Sequence, residues 1–335
     1  MKKCPTGGKG WRPFAPPSVL PDISPARGEI SLVLAARNLP PCRGDAWQGR
    51  GGQRRASIFA TVLAVVCPFA ATAADLPRIM SMNVCTDQLV LLLAEPEQIL
   101  SLSELSLDPT LSYLHEKAAP YPKNGGRAEE VFLSKPDLVV TGTFSLHNTT
   151  SLLQRLDFRV EEFAFNQSVE TIPGEIRRMG ALLDQAAKAE TIATEFESEL
   201  AEIEARQCGR APTAIAYEQN GVVLGEGTLA DSVIDAAGLT NLAAELGYSA
   251  MTPLPLEHLI SAKPDIVIVS EPMADAPALA DQIARHPALS ALDDSRIGAF
   301  VPRGAWSCGG PFVIEAVRAL ERLREDIAPC ESPSQ

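Results

Sequence analysis

The sequence predicts an α/β fold of two Rossmann-like α/β lobes joined by a single long backbone helix. Three observations lead there. Short β-branched runs alternate with helical segments over residues 77–165, and the same rhythm returns over 210–330. One phrase occurs twice, EEVFLSKPDLVVTG at 129–142 and EHLISAKPDIVIVS at 257–270, 128 residues further on. Between the halves lies AAKAETIATEFESELAEIEAR, residues 186–206, with no Gly or Pro.

The elements follow in chain order. Residues 78–82 read as a short strand, and Asn83 or Thr86 can cap a helix whose apolar face is Leu89, Val90, Leu92 and Leu93. Glu95-Pro96 ends that helix, because a residue before Pro is pushed out of the helical region, and 99–102 reads as a second strand. In the first copy of the phrase, 129–134 is a short helix, Lys135-Pro136-Asp137 a break and 138–141 a strand. Residues 151–156 are helical and 159–165 extended.

From 171 to 206 the pattern is helical, with apolar residues 192, 196, 200 and 203 on one face. Gly180 and Asp184 are the places where this stretch can divide into a short helix and a long one. A helix of about 20 residues spans ~30 Å, enough to carry the chain between lobes, so 166–208 is the expected connector. After Gly209, 213–217 and 222–224 are extended and 229–237 is helical up to Gly238. The second copy supplies a helix at 257–262, the break Lys263-Pro264-Asp265 and a strand at 266–269. Residues 297–301 form a late strand, and Gly310-Pro311 opens a last helix over 312–327.

A chain of 335 residues, 46% of them hydrophobic, can bury two cores. Its net charge of −13 is unevenly spread. Residues 1–74 carry 10 Lys/Arg against 3 acids, a net of +7, and the remainder 19 against 39, a net of −20. A body so acidic repels polyphosphate backbones, so no nucleic-acid partner is expected.

Arg54-Arg55 precede ASIFATVLAVVCPFAATAA, an apolar run ending in small residues. Residues 53–74 thus read as a signal peptide cleaved near Ala73/Ala74, which places the mature chain in the periplasm. Val66 before Cys67 is a poor match to a lipoprotein signal, and the arginine pair leaves Sec and Tat export both open. Residues 1–52 are rich in Pro, Gly and Arg, and no Met falls between Met1 and Met80; we expect them to be a non-native or disordered extension.

Four cysteines remain after residue 74: Cys85, Cys208, Cys308 and Cys330. No CxxC spacing occurs, which argues against a structural zinc site. Cys208 with Cys330 is an attractive disulfide, each at an end of the second lobe. Cys85 and Cys308 stand near predicted helix starts, one in each lobe. A bond between them would restrict hinge motion, so reduced thiols are expected there.

The stretch Gly225-Glu226-Gly227-Thr228-Leu229-Ala230 imitates a dinucleotide loop but lies in the wrong lobe position, and a plain loop is the expectation. GxSxG and HExxH are absent, so no catalytic residues and no enzyme are expected. The histidines, 115, 147, 258 and 286, follow no ligand spacing, and no bound metal or resident cofactor is expected. Trp306 lies in the Gly-rich loop RGAWSCGGPF, where it either packs beneath its own loop or offers a flat apolar face to a ligand. Phe144 would face it. Asn83, Cys85, Thr86 and Asp87 line the first helix's N-terminus, where polar ligand groups bind readily.

Taken in order, MSMNVCTDQLVLLLAEPEQILSLS, AEEVFLSKPDLVVTG, the connecting helix, LEHLISAKPDIVIVS and AWSCGGPFVIEAVRAL resemble the periplasmic substrate-binding proteins of the ferric-siderophore and vitamin B12 type. This is the helical-backbone, class III ABC importer family, and the likeness spans roughly 77–328. The resemblance implies a monomer that captures an iron chelate or cobalamin between its lobes. It would then deliver the ligand to an inner-membrane ABC permease dimer and its ATPase. It also implies that Glu129 and Glu257, heading the repeated helices, dock on permease arginines, and that Trp306 meets the ligand. The strand ends behind these glutamates, Thr141–Phe144 and Ser270–Glu271, are expected to face the cleft. Arg303, with Arg127, is a candidate for an anionic chelate, although no arginine cluster is present. The segment SLSELSLDPT lacks aromatics suited to a corrin. A bare-metal or haem receptor of the same fold, and an exported enzyme on this scaffold, are the alternatives.

Overall fold

A computed structural model describes residues 76–144, 146–164, 168–270, 286–292 and 294–330. The leader and signal-peptide readings, and the expected strand end at Phe165, lie outside the described residues.

The first sheet has five parallel strands: β1 (Ile79–Ser81), β2 (Ile99–Ser103), β3 (Lys123–Asn124), β4 (Leu138–Gly142) and β5 (Val160–Phe163), in the order β3-β2-β1-β4-β5. Every residue of β1 and β4 is buried, as expected of central strands covered on both faces. The covering helices are α1 (Val84–Leu93), α2 (His115–Ala118), α3 (Ala128–Ser134), α4 (His147–Arg155), α5 (Ile172–Leu182) and α6 (Ala186–Ala205). Asn83 starts α1 by accepting the Cys85 N–H at 2.8 Å, which satisfies one of the free donors of the first turn.

The connector is two helices. Asp184, at φ 57°, makes the turn between α5 and α6. Gly180 is no breaker: it lies inside α5, and a Cβ there would collide with Ala189, so its hydrogen is what lets the two helices touch. The 20-residue α6 then carries Ala189, Ala193, Phe196 and Ile203 into a buried cluster shared with α1, α5 and the helices of the second half.

The strands of the second half follow: β6 (Thr213–Ala216), β7 (Val222–Leu224), β8 (Thr240–Asn241), β9 (Met251–Pro253), β10 (Ile266–Ile268) and β11 (Arg296–Gly298). Four strands pair in parallel as β11-β10-β6-β8, and β7 pairs antiparallel with β9 as a separate ribbon. With these go α7 (Leu229–Ala236), α8 (Leu242–Glu245), α9 (Leu256–Ala262) and α10 (Val313–Ile327). The late strand is shorter than expected and begins one residue earlier, at Arg296, whose N–H donates to the Asp265 carbonyl at 2.9 Å and starts the pairing with β10.

The repeated phrase builds the same corner twice. Lys135 and Lys263 cap α3 and α9 in the left-handed conformation, at φ 48° and 49°. The next Pro forbids further helix, and the Asp pins the neighbouring strand. Asp137 accepts the Arg78 N–H at 2.8 Å, and Asp265 accepts the Thr213 N–H at 2.8 Å. Asp265 is held further by Arg210, whose guanidinium keeps its carboxyl below the usual carboxylate range.

Cys208 and Cys330 are disulfide-bonded, with Cα atoms 5.6 Å apart, where α6 ends and α10 ends. Beside them the buried Arg324 donates to the Cys208 carbonyl at 3.0 Å, and Arg206 pairs with Glu321 at 2.9 Å. Among the described residues no helix is long and apolar enough to cross a membrane.

Candidate functional site

A cleft of about 720 Å³ opens where the carboxyl ends of the strands point, the place where open parallel sheets bind ligands. Gly142 of β4 and Phe163 of β5 line it from the first sheet, and Ile268 of β10 from the second. Loop 301–307 closes one side. All six residues expected at a ligand cleft, Asn83, Cys85, Thr86, Phe144, Arg303 and Trp306, line this one space. Of the strand-end residues expected to face it, Gly142, Phe144 and Ser270 do so, Thr141 is buried, and Glu271 lies outside the described residues.

Their chemistry differs from the expectation of an open helix terminus. The side-chain Oδ1 of Asn83 is occupied by the Cys85 N–H. Thr86 is buried and donates to the Asn83 carbonyl at 2.9 Å. Asp87 turns away from the cleft altogether: it is buried and accepts both the N–H and the hydroxyl of Ser103. Burial pushes its carboxyl up to about 7, against the lowering effect of Ser103, Ser81 and Lys123. The first turn of α1 is therefore a tied corner.

The expected reduced thiols are also corrected. Cys85 and Cys308 form a disulfide, with Cα atoms 5.1 Å apart. Reasoning from hinge freedom failed because the loop after β11 is already fastened to the first half of the chain. Ser307 donates its hydroxyl to the Thr110 carbonyl at 3.1 Å, and the Tyr113 and Phe312 rings stack at 5.5 Å. Gly304, at φ +70°, lies so close to Ser112-Tyr113 that a Cβ would stand 2.6 Å from the Tyr113 nitrogen. Trp306 sits in this seam, half-buried against the core and half in the cleft, so both readings of it describe one side chain.

Phe144 is 65% exposed and lines the cleft. Leu111, Leu224, Met251 and Val301 extend the apolar walls. Among the described lining residues the charged ones are Glu218 and Arg303. Glu218 lies two residues past the end of β6, and its carboxylate accepts the hydroxyl of Ser270, two residues past the end of β10. Burial raises its carboxyl above the usual range, and the Ser270 bond lowers it only in part. Sequence reasoning missed Glu218, Gln219 and Thr228; for Glu218 and Gln219 the signal available was their position just past the predicted strand at 213–217. The Gly225–Ala230 stretch is the entry to α7: Thr228 caps that helix by accepting the Asp231 N–H at 3.1 Å, and Gly227 and Thr228 line the cleft.

Glu129 and Glu257 are exposed in the first turns of α3 and α9. Each helix precedes a strand of its own sheet and runs back against it. That places both carboxylates at the edge where the strands end and the cleft opens. The described residues hold no cluster of His, Cys, Asp or Glu able to grip a metal ion.

Two α/β halves, a bridging helix and one cleft at the strand ends define a two-lobed ligand-binding protein. A family model of the periplasmic binding proteins matches residues 79–294, and the chain belongs to that family. Solved structures with the same fold include the apo form of the periplasmic heme-binding protein RhuT from Roseiflexus sp. RS-1, at 21% identity over 73% of this chain and 98% of that one, TM-score 0.59. Similar too are the periplasmic heme-binding protein HutB of Vibrio cholerae (15%, 75% and 98%, TM-score 0.61) and a protein of Staphylococcus epidermidis described as a possible iron-binding (periplasmic solute-binding) protein (17%, 76% and 99%, TM-score 0.56). No curated protein matches the chain.

Proposed function

We propose that this chain is the periplasmic substrate-binding component of an ABC importer, a receptor and not an enzyme, whose cargo is an iron chelate or cobalamin. One observation carries the reading. Both sheets and the Trp306 loop converge on a single cleft of about 720 Å³, a volume suited to an organic ligand of several rings and walled mainly by apolar side chains. Phe144 and Trp306 supply flat surfaces for such a ligand, and backbone and hydroxyl groups at the strand ends orient it. Release at the membrane is assigned to docking of Glu129 and Glu257 on a permease dimer, with its ATPase driving the cycle.

Haem is the second reading. The relatives RhuT and HutB are heme-binding proteins, and the same flat apolar walls suit a porphyrin.

Trp306 is the one tryptophan after residue 74, so its fluorescence reports on the cleft. Titration with cobalamin, haem and ferric siderophores is expected to quench it saturably with one of them and to raise the melting temperature. Absence of quenching and of thermal shift with all of them would overturn the reading.

A further inference from the structure

We propose that Glu218 selects the ligand: it accepts a chelate that presents an N–H, O–H or positive group to the second sheet, and rejects one that presents a carboxylate or phenolate there. This rests on the reading of the cleft as a chelate site and names the ligand chemistry within it.

Three features of the geometry support the assignment. Glu218 stands at the carboxyl end of β6 and lines the cleft, so its carboxylate is presented to whatever fills that space. One oxygen accepts the Ser270 hydroxyl from the end of the adjacent strand β10, which fixes the group against the wall and leaves acceptor capacity directed elsewhere. Among the described residues no ion pair engages it, and Leu224, Ile268 and Val269 line the same cleft.

A carboxylate in such a place is already partly stripped of water, and burial holds its proton affinity above the ordinary range. An incoming ligand removes the remaining water. If the ligand brings a donor, the lost hydration is replaced by a charge-assisted hydrogen bond. If it brings an anion, two like charges face each other in a low-dielectric space, a repulsion that discriminates strongly. Corrin amides and cationic hydroxamate chelates fall in the first class. Tricatecholates, citrate chelates and haem propionates fall in the second when turned to this wall.

The test is the Trp306 titration of the full chain with cyanocobalamin, a ferric trihydroxamate bearing an ammonium group, a ferric tricatecholate, ferric citrate and haem. Wild type should prefer one of the first two over the anionic ligands. Glu218→Gln keeps the shape and removes the charge; it should narrow that preference by about tenfold or more. Ser270→Ala, which frees the carboxylate without removing it, should narrow it less. Melting curves of the variants should match wild type. An unchanged preference in a folded Glu218→Gln, or a wild type that favours an anionic chelate, would overturn the assignment while leaving the chelate reading in place. A wild type that binds none of the panel would instead overturn the chelate reading and the assignment with it.

Discussion

Cys85 and Cys308 are bonded across 223 positions of sequence, tying the first turn of α1 to the loop that leads into α10. The bond lies beside the Ser307–Thr110 hydrogen bond and the Tyr113–Phe312 stack, so one edge of the cleft is sewn shut by covalent and non-covalent contacts together. Ligand entry and exit must then use the remaining rim, and the two halves cannot part widely along this seam.

Breaking that bond should loosen both the fold and the grip on ligand. Cys85→Ser with Cys308→Ser removes a cross-link over a long loop, and a loss of about 2–5 kcal/mol is expected. Thermal melts of both proteins should differ without reductant and converge with it, since reductant opens Cys208–Cys330 in both and Cys85–Cys308 in the wild type alone. The variant should also release bound ligand faster in a stopped-flow chase. A variant with an unchanged melting temperature and off-rate would show that the non-covalent seam suffices.

Asp87 should make stability depend on pH in an unusual direction. Below about pH 4 it is protonated in both the folded and the unfolded chain. As the pH rises from about 4 to about 7 the unfolded chain loses the proton while burial keeps it on the folded one, so the unfolded state gains and stability falls, by a few kcal/mol in all. Asp87→Asn should flatten this slope, since an amide still offers Ser103 an acceptor and does not ionise. Denaturant midpoints of both proteins between pH 4 and pH 8 test it; parallel curves would remove Asp87 as the cause.

Gly304→Ala should weaken the seam without touching its chemistry. The added methyl meets the Tyr113 nitrogen at 2.6 Å, and φ +70° suits a side chain poorly. A loss of about 1–3 kcal/mol is expected, together with weaker ligand binding because Arg303 and Trp306 flank the site of strain. A melting temperature equal to that of wild type would show that the loop gives way freely.

Glu129→Arg with Glu257→Arg should abolish uptake in cells while leaving the ligand titration unchanged. Both residues are exposed, so replacement should leave the fold intact. Each single variant is expected to retain partial uptake. Full uptake by the double variant would place the docking surface elsewhere.

Much of the fold was legible because it is local. The Glu-to-Pro-Asp phrase specifies a helix, a break and a strand from neighbouring residues alone, and the chain does this at both 129–142 and 257–270; the left-handed lysine that makes the break came from the structure. The two-residue strands β3 and β8 were not legible, since pairing with β2 and β6 defines them and periodicity does not. Gly180 misled for a related reason: in sequence it resembles a helix breaker, whereas its role is set by Ala189 on the next helix.

The sequence by itself determined the alternation of elements, the repeated corner, the bridging helix and the family, because backbone preference and apolar periodicity act over a few residues. Only the tertiary structure decided which strand ends meet. It joined Cys85 to Cys308, turned Asp87 inward and set the Glu218 carboxylate against Ser270. Those relationships depend on which parallel strands lie side by side, and strand order is set by packing of whole sheets and helices around a shared core.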